Sequence, residues 1–369
     1  MPGDNNESMK VFGFSAESVQ DVWLPDVGRQ TISETAAIND IAFCNPQKCA
    51  GDCGEAQNIC DSGFVVTDAP SGSPTAEADV WNTTNEGVTW TNVTPGEITS
   101  PFGNGEDIAS GVCFEVDKDT TRYLVARGTA DASNPMEIAY RDGTTGAWTR
   151  VNVGSTNNQV AQGPQALFAI DFYHIWLVTS GGYIYFSDDG GVTWVAQEEG
   201  VLTTQNLFGI HGSGTKNLYV VGASDVVLIS NDGGQSWSTA TATGGGNTNQ
   251  RVFVLSKNVA WVGDNGGQIF RTADGGTTWT EFTNWTGTGT GEIKGIGFAS
   301  DLVGFMLHND ATPTGYVFYT INGGATWRRL STDANNGLNS LYVCSAILAY
   351  AVGEAGDDGT GVILKVAVA

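Results

Sequence analysis

The stretch Tyr185–Trp194 reads Tyr-Phe-Ser-Asp-Asp-Gly-Gly-Val-Thr-Trp, and its pattern Ser-x-Asp-x-Gly-x-x-Trp recurs along the chain. A weaker copy runs from Thr83 to Trp90, and a copy with disturbed spacing runs from Arg141 to Trp148. Repeats decide the architecture of a chain, because each copy specifies the same local unit. The four clean copies are Ser187, Asp189, Gly191 and Trp194; Ser230, Asp232, Gly234 and Trp237; Thr272, Asp274, Gly276 and Trp279; and Thr320, Asn322, Gly324 and Trp327.

Each copy predicts a tight connection between two strands. The alternating apolar run Gly182-Tyr-Ile-Tyr-Phe precedes the first copy and is typical of a strand. The Asp is expected to bond its own backbone in a turn, and the Gly provides a positive φ at low cost. The Trp then opens the next strand and packs back over the turn. Every copy is therefore expected to form a self-sufficient hairpin connection.

These residues resemble the Asp-box of sialidases, sortilins and the photosystem II stability/assembly-factor-like proteins. The resemblance covers most of the chain and implies an Asp-box (BNR-type) repeat β-propeller. It does not imply an activity, because the Asp-boxes of that family are structural and lie away from the catalytic centre.

The positions of the repeats predict an all-β, seven-bladed β-propeller with four-stranded blades, a size within the usual range for propellers. Three strands are predicted for the last blade, and its exposed edge requires a partner. An N-terminal strand, from Val11–Phe14 or Val19–Leu24, is expected to complete that C-terminal blade. The predicted domains are an N-terminal arm and closing strand at 1–37 and a single propeller at 38–369, with a Cys-rich insertion at 44–60.

The predicted topology sorts the loops onto two faces. Asp-box turns join the third and fourth strands of a blade and are expected on one face. The links between blades are expected on the opposite face, where glycans are candidate ligands and plain connectors are the alternative. These links are long and polar, at 94–107, 154–165, 198–206, 241–250, 283–292 and 331–338.

The cysteines Cys44, Cys49, Cys53 and Cys60 cluster in the insertion with no His nearby. Their first spacings are longer than the tight Cys-x-x-Cys pairs of a Cys₄ zinc site. Two disulfides of unknown pairing that staple this loop are therefore favoured over a metal site or reduced thiols, and such bonds need an oxidising setting. The other two cysteines, on predicted inner strands of the flanking blades, are expected to behave as small buried apolar residues: Cys113 and Cys344.

No set of residues points to catalysis, to a cofactor or to a metal. His174, His211 and His308 lie near strand ends of different blades, without metal-ligand spacing. The sequence contains neither a Gly-x-Ser-x-Gly elbow nor a phosphate loop. A sialidase-like site would require clustered arginines and two carboxylates at a defined separation, and arginine is scarce here. A non-enzymatic protein without a cofactor is therefore expected.

Charge and hydropathy exclude several partners. The formal net charge of −24 argues against nucleic acids and anionic membrane surfaces, which attract basic patches. No apolar run is long enough to span a membrane, so membrane insertion is not expected. The first residues also lack the basic and apolar regions of a secretory signal.

These observations lead to a structural or interaction protein on a virion surface as the first hypothesis. In this hypothesis a phage decoration, tail or fibre-associated propeller contacts other subunits of an assembly through its N-terminal arm and host glycans through its links. The expected localisation is the virion surface or the extracellular space. One alternative is a secreted, sialidase-like propeller that binds or hydrolyses glycans. A second alternative is an assembly factor for a membrane complex.

Overall fold

The computed structural model shows an all-β chain whose strands form seven four-stranded sheets in its described part. In each sheet the strands follow one another from the centre of the ring outward, so the sheets are the blades of a seven-bladed β-propeller. The described residues are 26–31, 36–44, 60, 62–68, 78–93, 108–117, 120–127, 136–144, 147–153, 163–282, 291–311, 314–333, 337–354 and 361–368.

The strands are short and antiparallel within each blade. Blades one and two contain β2 (Ile38–Phe43), β3 (Gly63–Thr67), β4 (Val80–Thr83) and β5 (Thr91–Asn92), then β6 (Ile108–Asp117), β7 (Thr120–Arg127), β8 (Glu137–Asp142) and β9 (Thr149–Asn152). Blades three and four contain β10 (Pro164–Asp171), β11 (His174–Thr179), β12 (Tyr183–Ser187) and β13 (Val195–Glu199), then β14 (Leu207–Ser213), β15 (Asn217–Gly222), β16 (Val226–Ser230) and β17 (Ser238–Thr239). Blades five and six contain β18 (Asn249–Val254), β19 (Ala260–Asp264), β20 (Ile269–Thr272) and β21 (Thr280–Phe282), then β22 (Gly291–Phe298), β23 (Gly304–Asp310), β24 (Gly315–Thr320) and β25 (Arg328–Asp333).

Blade seven combines the two ends of the described chain. Its three C-terminal strands are joined by β1 (Asp26–Thr31), which pairs antiparallel with the last of them from Asp26 opposite Ala367 to Thr31 opposite Val362. An N-terminal strand therefore completes the C-terminal blade, as predicted. The C-terminal strands are β26 (Leu338–Ser345), β27 (Leu348–Gly353) and β28 (Val362–Ala367).

The predicted position of the closing strand was wrong. The chosen segments, Val11–Phe14 and Val19–Leu24, are apolar and lie outside the described residues, whereas β1 reads Asp-Val-Gly-Arg-Gln-Thr. An outermost strand needs main-chain hydrogen bonds on one edge more than it needs apolar side chains. The exposed outer strands β5 and β17 of other blades show the same polar character. The division of the chain at residue 37 stays a prediction.

The core consists of buried apolar clusters between neighbouring blades. In the described part of the chain there are seven clusters, one for each pair of adjacent blades, including the pair formed by blades seven and one. The second strand of each blade supplies the most buried run, such as Ile175–Val178 in blade three. The ring is therefore closed by apolar packing as well as by β1.

Two disulfides connect blade one to both of its neighbours. Cys44 is bonded to Cys113 of blade two, and Cys60 is bonded to Cys344 of blade seven. The expectation that Cys113 and Cys344 are plain buried apolar residues was therefore wrong, and Cys44 and Cys60 do not staple the insertion to itself. Face-to-face packing of the blades brings the paired Cα atoms within 4.7 and 5.8 Å, which is bridging distance. Cys49 and Cys53 lie outside the described residues.

Candidate functional site at the central channel

The Asp-box turns repeat one hydrogen-bond pattern. After β12, the Ser187 hydroxyl donates to Asp189 Oδ1 over 2.9 Å and accepts from the amide of Gly191 over 2.9 Å. Asp189 Oδ1 also accepts from the amide of Thr193 over 2.8 Å. The same three bonds follow β16, β20 and β24, with Asn322 as the acceptor in the last turn. Gly191 has a φ of 87°, and a Cβ there would lie 2.6 Å from Leu124 of blade two.

These turns define what we call the Asp-box face. Main-chain bonds join each turn to the loop between the first and second strands of its own blade, for example Gly190 to Phe172 and Gly233 to Lys216. Successive strands of a blade run antiparallel, so the links between blades lie on the opposite side, which we call the link face.

At the link face, side chains join the first strands of several blades around the mouth of the central channel. Asp40 on β2 accepts from the hydroxyl of Ser340 on β26 over 2.6 Å and from the hydroxyl of Ser110 on β6 over 2.9 Å. The amides of Ile41 and Gly111 also donate to the Asp40 carboxylate. Its two oxygens are therefore occupied by neutral donors.

Arg251 on β18 lies at the same mouth. Its guanidinium donates to three main-chain carbonyl oxygens, those of Lys294 at 2.8 Å, Gln250 at 3.0 Å and Asn339 at 3.4 Å. No described carboxylate lies within the 4.0 Å of an ion pair with Arg251, and the neighbouring Lys294 is paired with Glu292. Burial lowers the pKa of Arg251, while the charges of Asp40 and Glu292 oppose that shift.

Two overlapping cavities fill the channel and differ in chemistry. The one at the mouth measures about 180 Å³ and is lined by polar groups that include Asp40, Ser110 and Arg251. The deeper one measures about 350 Å³ and is lined by Phe168, Phe253 and other apolar side chains. The channel thus changes from a polar entrance to an aromatic interior.

His211 on β14 lies between the rings of that interior. Its ring centroid is 4.9 Å from that of Phe168 on β10 and 4.6 Å from that of Phe253 on β18. Nδ1 accepts a hydrogen bond from the amide of Val254 over 3.1 Å, which assigns the ring proton to Nε2. Burial lowers the pKa of His211 to about 4, so the ring is neutral at pH 7.

The link at 241–250, between blades four and five, has a fixed shape beside the mouth. The Asp225 carboxylate accepts from the hydroxyl of Thr243 at 2.5 Å, from the amide of Gly244 at 2.9 Å and from the side chain of Asn249 at 3.0 Å. Burial acts to raise the pKa of Asp225, but these donors lower it overall. Ser224 and Asp225 adopt positive φ values of 55° and 61° to place the carboxylate under the link.

The other histidines do not join this site. His174 Nδ1 lies 2.8 Å from Asp171 Oδ1 in blade three, and His308 is buried in blade six, where burial lowers its pKa to about 4. The described residues contain no cluster of three or more His, Cys, Asp or Glu side chains that could hold a metal ion. Among the same residues, no helix is long and apolar enough to cross a membrane.

Sequence reasoning did not identify the channel wall. Phe168, His211, Phe253 and Ile296 follow one another at intervals of 43, 42 and 43 residues, each on the first strand of its blade. An alignment of the repeats on these first strands, rather than on the Asp-boxes, would have brought the four positions together. Arg251, two residues before Phe253, would then have appeared as a cation beside the aromatic ring.

The seven blades and the repeated turns make this chain an Asp-box (BNR-type) repeat β-propeller. Comparison with protein families agrees, because the BNR/Asp-box repeat matches residues 185–196. The family described as photosynthesis system II assembly factor YCF48 matches residues 198–346, which include blades four to six. No curated protein matches the chain.

Solved structures of similar fold span nearly the whole chain. YCF48 from Cyanidioschyzon merolae is 16% identical, with a TM-score of 0.62, 92% of this chain covered and 98% of that one. A structure of YCF48 bound to a D1 peptide is 15% identical, with a TM-score of 0.62, and the coverage is 92% and 96%. A catalytically inactive virginiamycin B lyase from Staphylococcus aureus is 10% identical, with a TM-score of 0.65 and coverage of 93% and 99%. Identities this low show the fold alone.

The first functional hypothesis is corrected by these matches. The predicted virion-surface role with host-glycan contacts was wrong, as was the predicted virion-surface or extracellular localisation, because the family match is to an assembly factor. Composition and acidity suit many soluble propellers and could not distinguish between them. The predicted anchoring through the N-terminal arm at 1–37 stays a prediction, and residues 1–25 and 32–35 of that arm lie outside the described part of the chain.

Proposed function

We propose that this propeller is a non-enzymatic, YCF48-like assembly factor for a membrane complex, and that it binds a polypeptide segment of its partner. The observation that carries the proposal is the match of the YCF48 family to residues 198–346. The similar fold of YCF48 bound to a D1 peptide supports binding of a peptide as the mode of action. Photosystem II is accordingly the first complex to test.

The link face is the proposed binding surface. Hydrogen bonds to the buried carboxylate of Asp225 hold the link at 241–250 in one conformation. A partner would therefore bind a loop that is already ordered. A preformed loop loses little conformational entropy on binding, which favours affinity. In this proposal the Asp-box residues are scaffold, since the side chains of their Ser or Thr and Asp or Asn residues bond within their own turns on the opposite face.

The two disulfides fit an oxidising compartment as the place of action. Both join blade one to a neighbouring blade, and their loss would loosen the ring at its closure. An assembly factor located where a membrane complex exposes its segments to an oxidising compartment would keep these bonds.

A binding titration with the D1 peptide tests the proposal. The purified protein is titrated into fluorescently labelled D1 peptide, with a scrambled peptide of the same composition as the control, and anisotropy is measured. We expect saturable binding of the D1 peptide only. Equal binding of both peptides, or of neither, would contradict a YCF48-like role.

Two variants locate the surface. Asp225→Ala removes the acceptor that holds the link at 241–250 and should weaken binding of the D1 peptide. Asp188→Ala removes the same charge from an exposed site on the Asp-box face and should leave binding unchanged. Equal affinities of the two variants would exclude the link face as the binding surface.

A further inference from the structure

We propose that the central channel is a binding site for an aromatic carboxylate, with the carboxylate at Arg251 and the ring in the cavity lined by Phe168, His211 and Phe253. The ligand is either a small aromatic acid or the C-terminal residue of a polypeptide, since both present the same chemistry. The inference goes beyond the proposed function, because it holds whether or not a D1 peptide binds.

The first observation is that Arg251 forms no ion pair with a carboxylate of the described residues. A guanidinium has five N–H groups, and three of them donate to carbonyl oxygens of Lys294, Gln250 and Asn339. One N–H on each terminal nitrogen remains, so two donors are left for the oxygens of a carboxylate. Asp40 does not fill this position, because its carboxylate already accepts four hydrogen bonds from neutral donors.

The second observation is the free donor of His211. Its Nδ1 is occupied by the amide of Val254, so its proton lies on Nε2. Nε2 has no hydrogen-bond partner among the described residues, and the ring lines both cavities of the channel. The Nε2–H group of His211 can therefore donate a hydrogen bond to a ligand in the channel, and it lies between the rings of Phe168 and Phe253.

The spacing of these groups selects the length of the ligand. Arg251 and Phe253 are two residues apart on β18 and pair regularly with Gly263 and Trp261, so they lie on one face of the strand. The rise of a strand separates their Cα atoms by about 7 Å, so a ligand whose carboxylate and ring are a few carbon atoms apart would reach both side chains. The apolar cavity of about 350 Å³ is within the range of pockets that hold small molecules, roughly 300–1,000 Å³.

The test uses four probes and isothermal titration calorimetry. They are N-acetylphenylalanine, its carboxamide, a short Gly/Ser peptide that ends in Phe with a free carboxylate, and the same peptide with a C-terminal amide. We expect each acid to bind about ten- to a hundredfold more tightly than its amide, because a hydrogen bond to a charged group is lost in the amide. Binding of the small acid alone identifies a metabolite-like ligand, and binding of the peptide acid alone identifies a chain terminus.

Variants then assign the carboxylate to Arg251. Arg251→Gln should weaken binding of the acids about ten- to a hundredfold and leave the amides unchanged. Arg150→Gln removes the same charge from the exposed outer strand β9 and serves as the matched control. Arg251→Lys keeps the charge with fewer donors and should have an intermediate affinity if Arg251→Gln does not fold.

Three outcomes would overturn the inference. They are equal affinity for acids and amides in the unmodified protein, no binding of any probe, and equal loss of affinity in Arg251→Gln and Arg150→Gln. The first two need no variant, so a folding defect cannot hide them. A failure here leaves the D1-peptide titration unaffected, because none of the four probes contains the D1 sequence.

Discussion

Blades three to six and the three blades around the ring closure hold together by different means. Blades three to six, at 163–333, each carry a complete Asp-box and contain no cysteine. Blades seven, one and two carry both described disulfides and the joint to β1, and their Asp-box copies are absent, altered or disturbed. The comparison indicates that covalent bonds reinforce the ring where its repeated turn motif is altered or absent.

Blade one shows how its altered turn is used. Glu86 stands where the four clean copies have the first Gly of a Gly-Gly pair, and it adopts a positive φ of 57°. Its carbonyl oxygen accepts from the hydroxyl of Tyr350 over 2.6 Å and from the ammonium of Lys365 over 3.3 Å, both in blade seven. The strained turn is thereby fixed against the blade that closes the ring.

The largest expected effect is the loss of the bond between blades one and seven. Cys60→Ala with Cys344→Ala should lower the free energy of unfolding by about 3–5 kcal/mol, since it releases a loop of 284 residues in the unfolded chain. Cys44→Ala with Cys113→Ala releases 69 residues and should cost about 1 kcal/mol less.

Urea unfolding measures both double variants, and it keeps the comparison matched because each pair removes two buried sulfurs. Equal losses would contradict the expected dependence on the length of the loop that each bond closes. A reducing agent applied to the unmodified protein should reproduce the combined loss.

The second effect tests whether an Asp-box is a local unit. Thr83→Val in blade one and Thr320→Val in blade six remove the same three hydrogen bonds, with the amides of Gly87 and Gly324 left unbonded. Both hydroxyls are buried, so each variant should lose about 1–3 kcal/mol of stability. The two losses in urea should agree within about 0.5 kcal/mol. A much larger loss in blade one would show that its turn also depends on the ring closure.

The third expected effect is a gain in the stability of the fold. Glu86→Gly should raise the free energy of unfolding by about 0.5 kcal/mol. The left-handed conformation costs an L-residue about 1–2 kcal/mol, and glycine avoids this cost. Glycine also makes the unfolded chain more flexible, which offsets part of the gain. Gly323→Ala in blade six is the opposite change at the corresponding position. It should be destabilising, because its Cβ would lie 2.7 Å from the carbonyl oxygen of Asp301. Thermal unfolding measures both, and a loss in Glu86→Gly would assign the Glu86 side chain a role in closure.

The difference between the two regions also explains what the sequence could predict. The seven blades and the need for a closing strand follow from the turn motif, whose hydrogen bonds span only five residues and are therefore visible as a local pattern. The pairings of Cys44 with Cys113 and of Cys60 with Cys344 join residues 69 and 284 positions apart, and only the ring brings them together. β1 was missed because a polar outer strand resembles a loop.

The channel site was missed for a related reason. Arg251 and His211 are 40 residues apart and come from different blades, so no local spacing marks them as one site. Their environment depends on where the first strands of blades three to five converge. A family name could not supply these residues either, since the three solved structures compared above are 10 to 16% identical to this chain.

The smallest expected effect is a loss of stability at low pH. This loss should differ between Asp-boxes that contain an aspartate and those that contain an asparagine. Hydrogen bonds from the side chain and amide of Ser236, and from Ser230, lower the pKa of Asp232 to about 2, below its value of about 3.9 in an unfolded chain. A carboxylate with a lowered pKa contributes stability that is present above about pH 4 and is lost as the pH falls towards 2. The box of blade six contains Asn322, which does not titrate.

Exchanging the two acceptors makes this difference measurable. In Asp232→Asn, the urea midpoint should fall less steeply between pH 4 and 2 than in the unmodified protein, whereas Asn322→Asp should fall more steeply. Both variants should keep their turns, because Oδ1 of either residue accepts the same amide bond at about 2.9 Å. Identical pH profiles for all three proteins would mean that the Asp-box carboxylates are as well stabilised in the unfolded chain as in the fold. Neutral boxes would then support the ring as well as charged ones at any pH, and the contrast between the two regions would rest on the disulfides and the closing strand alone.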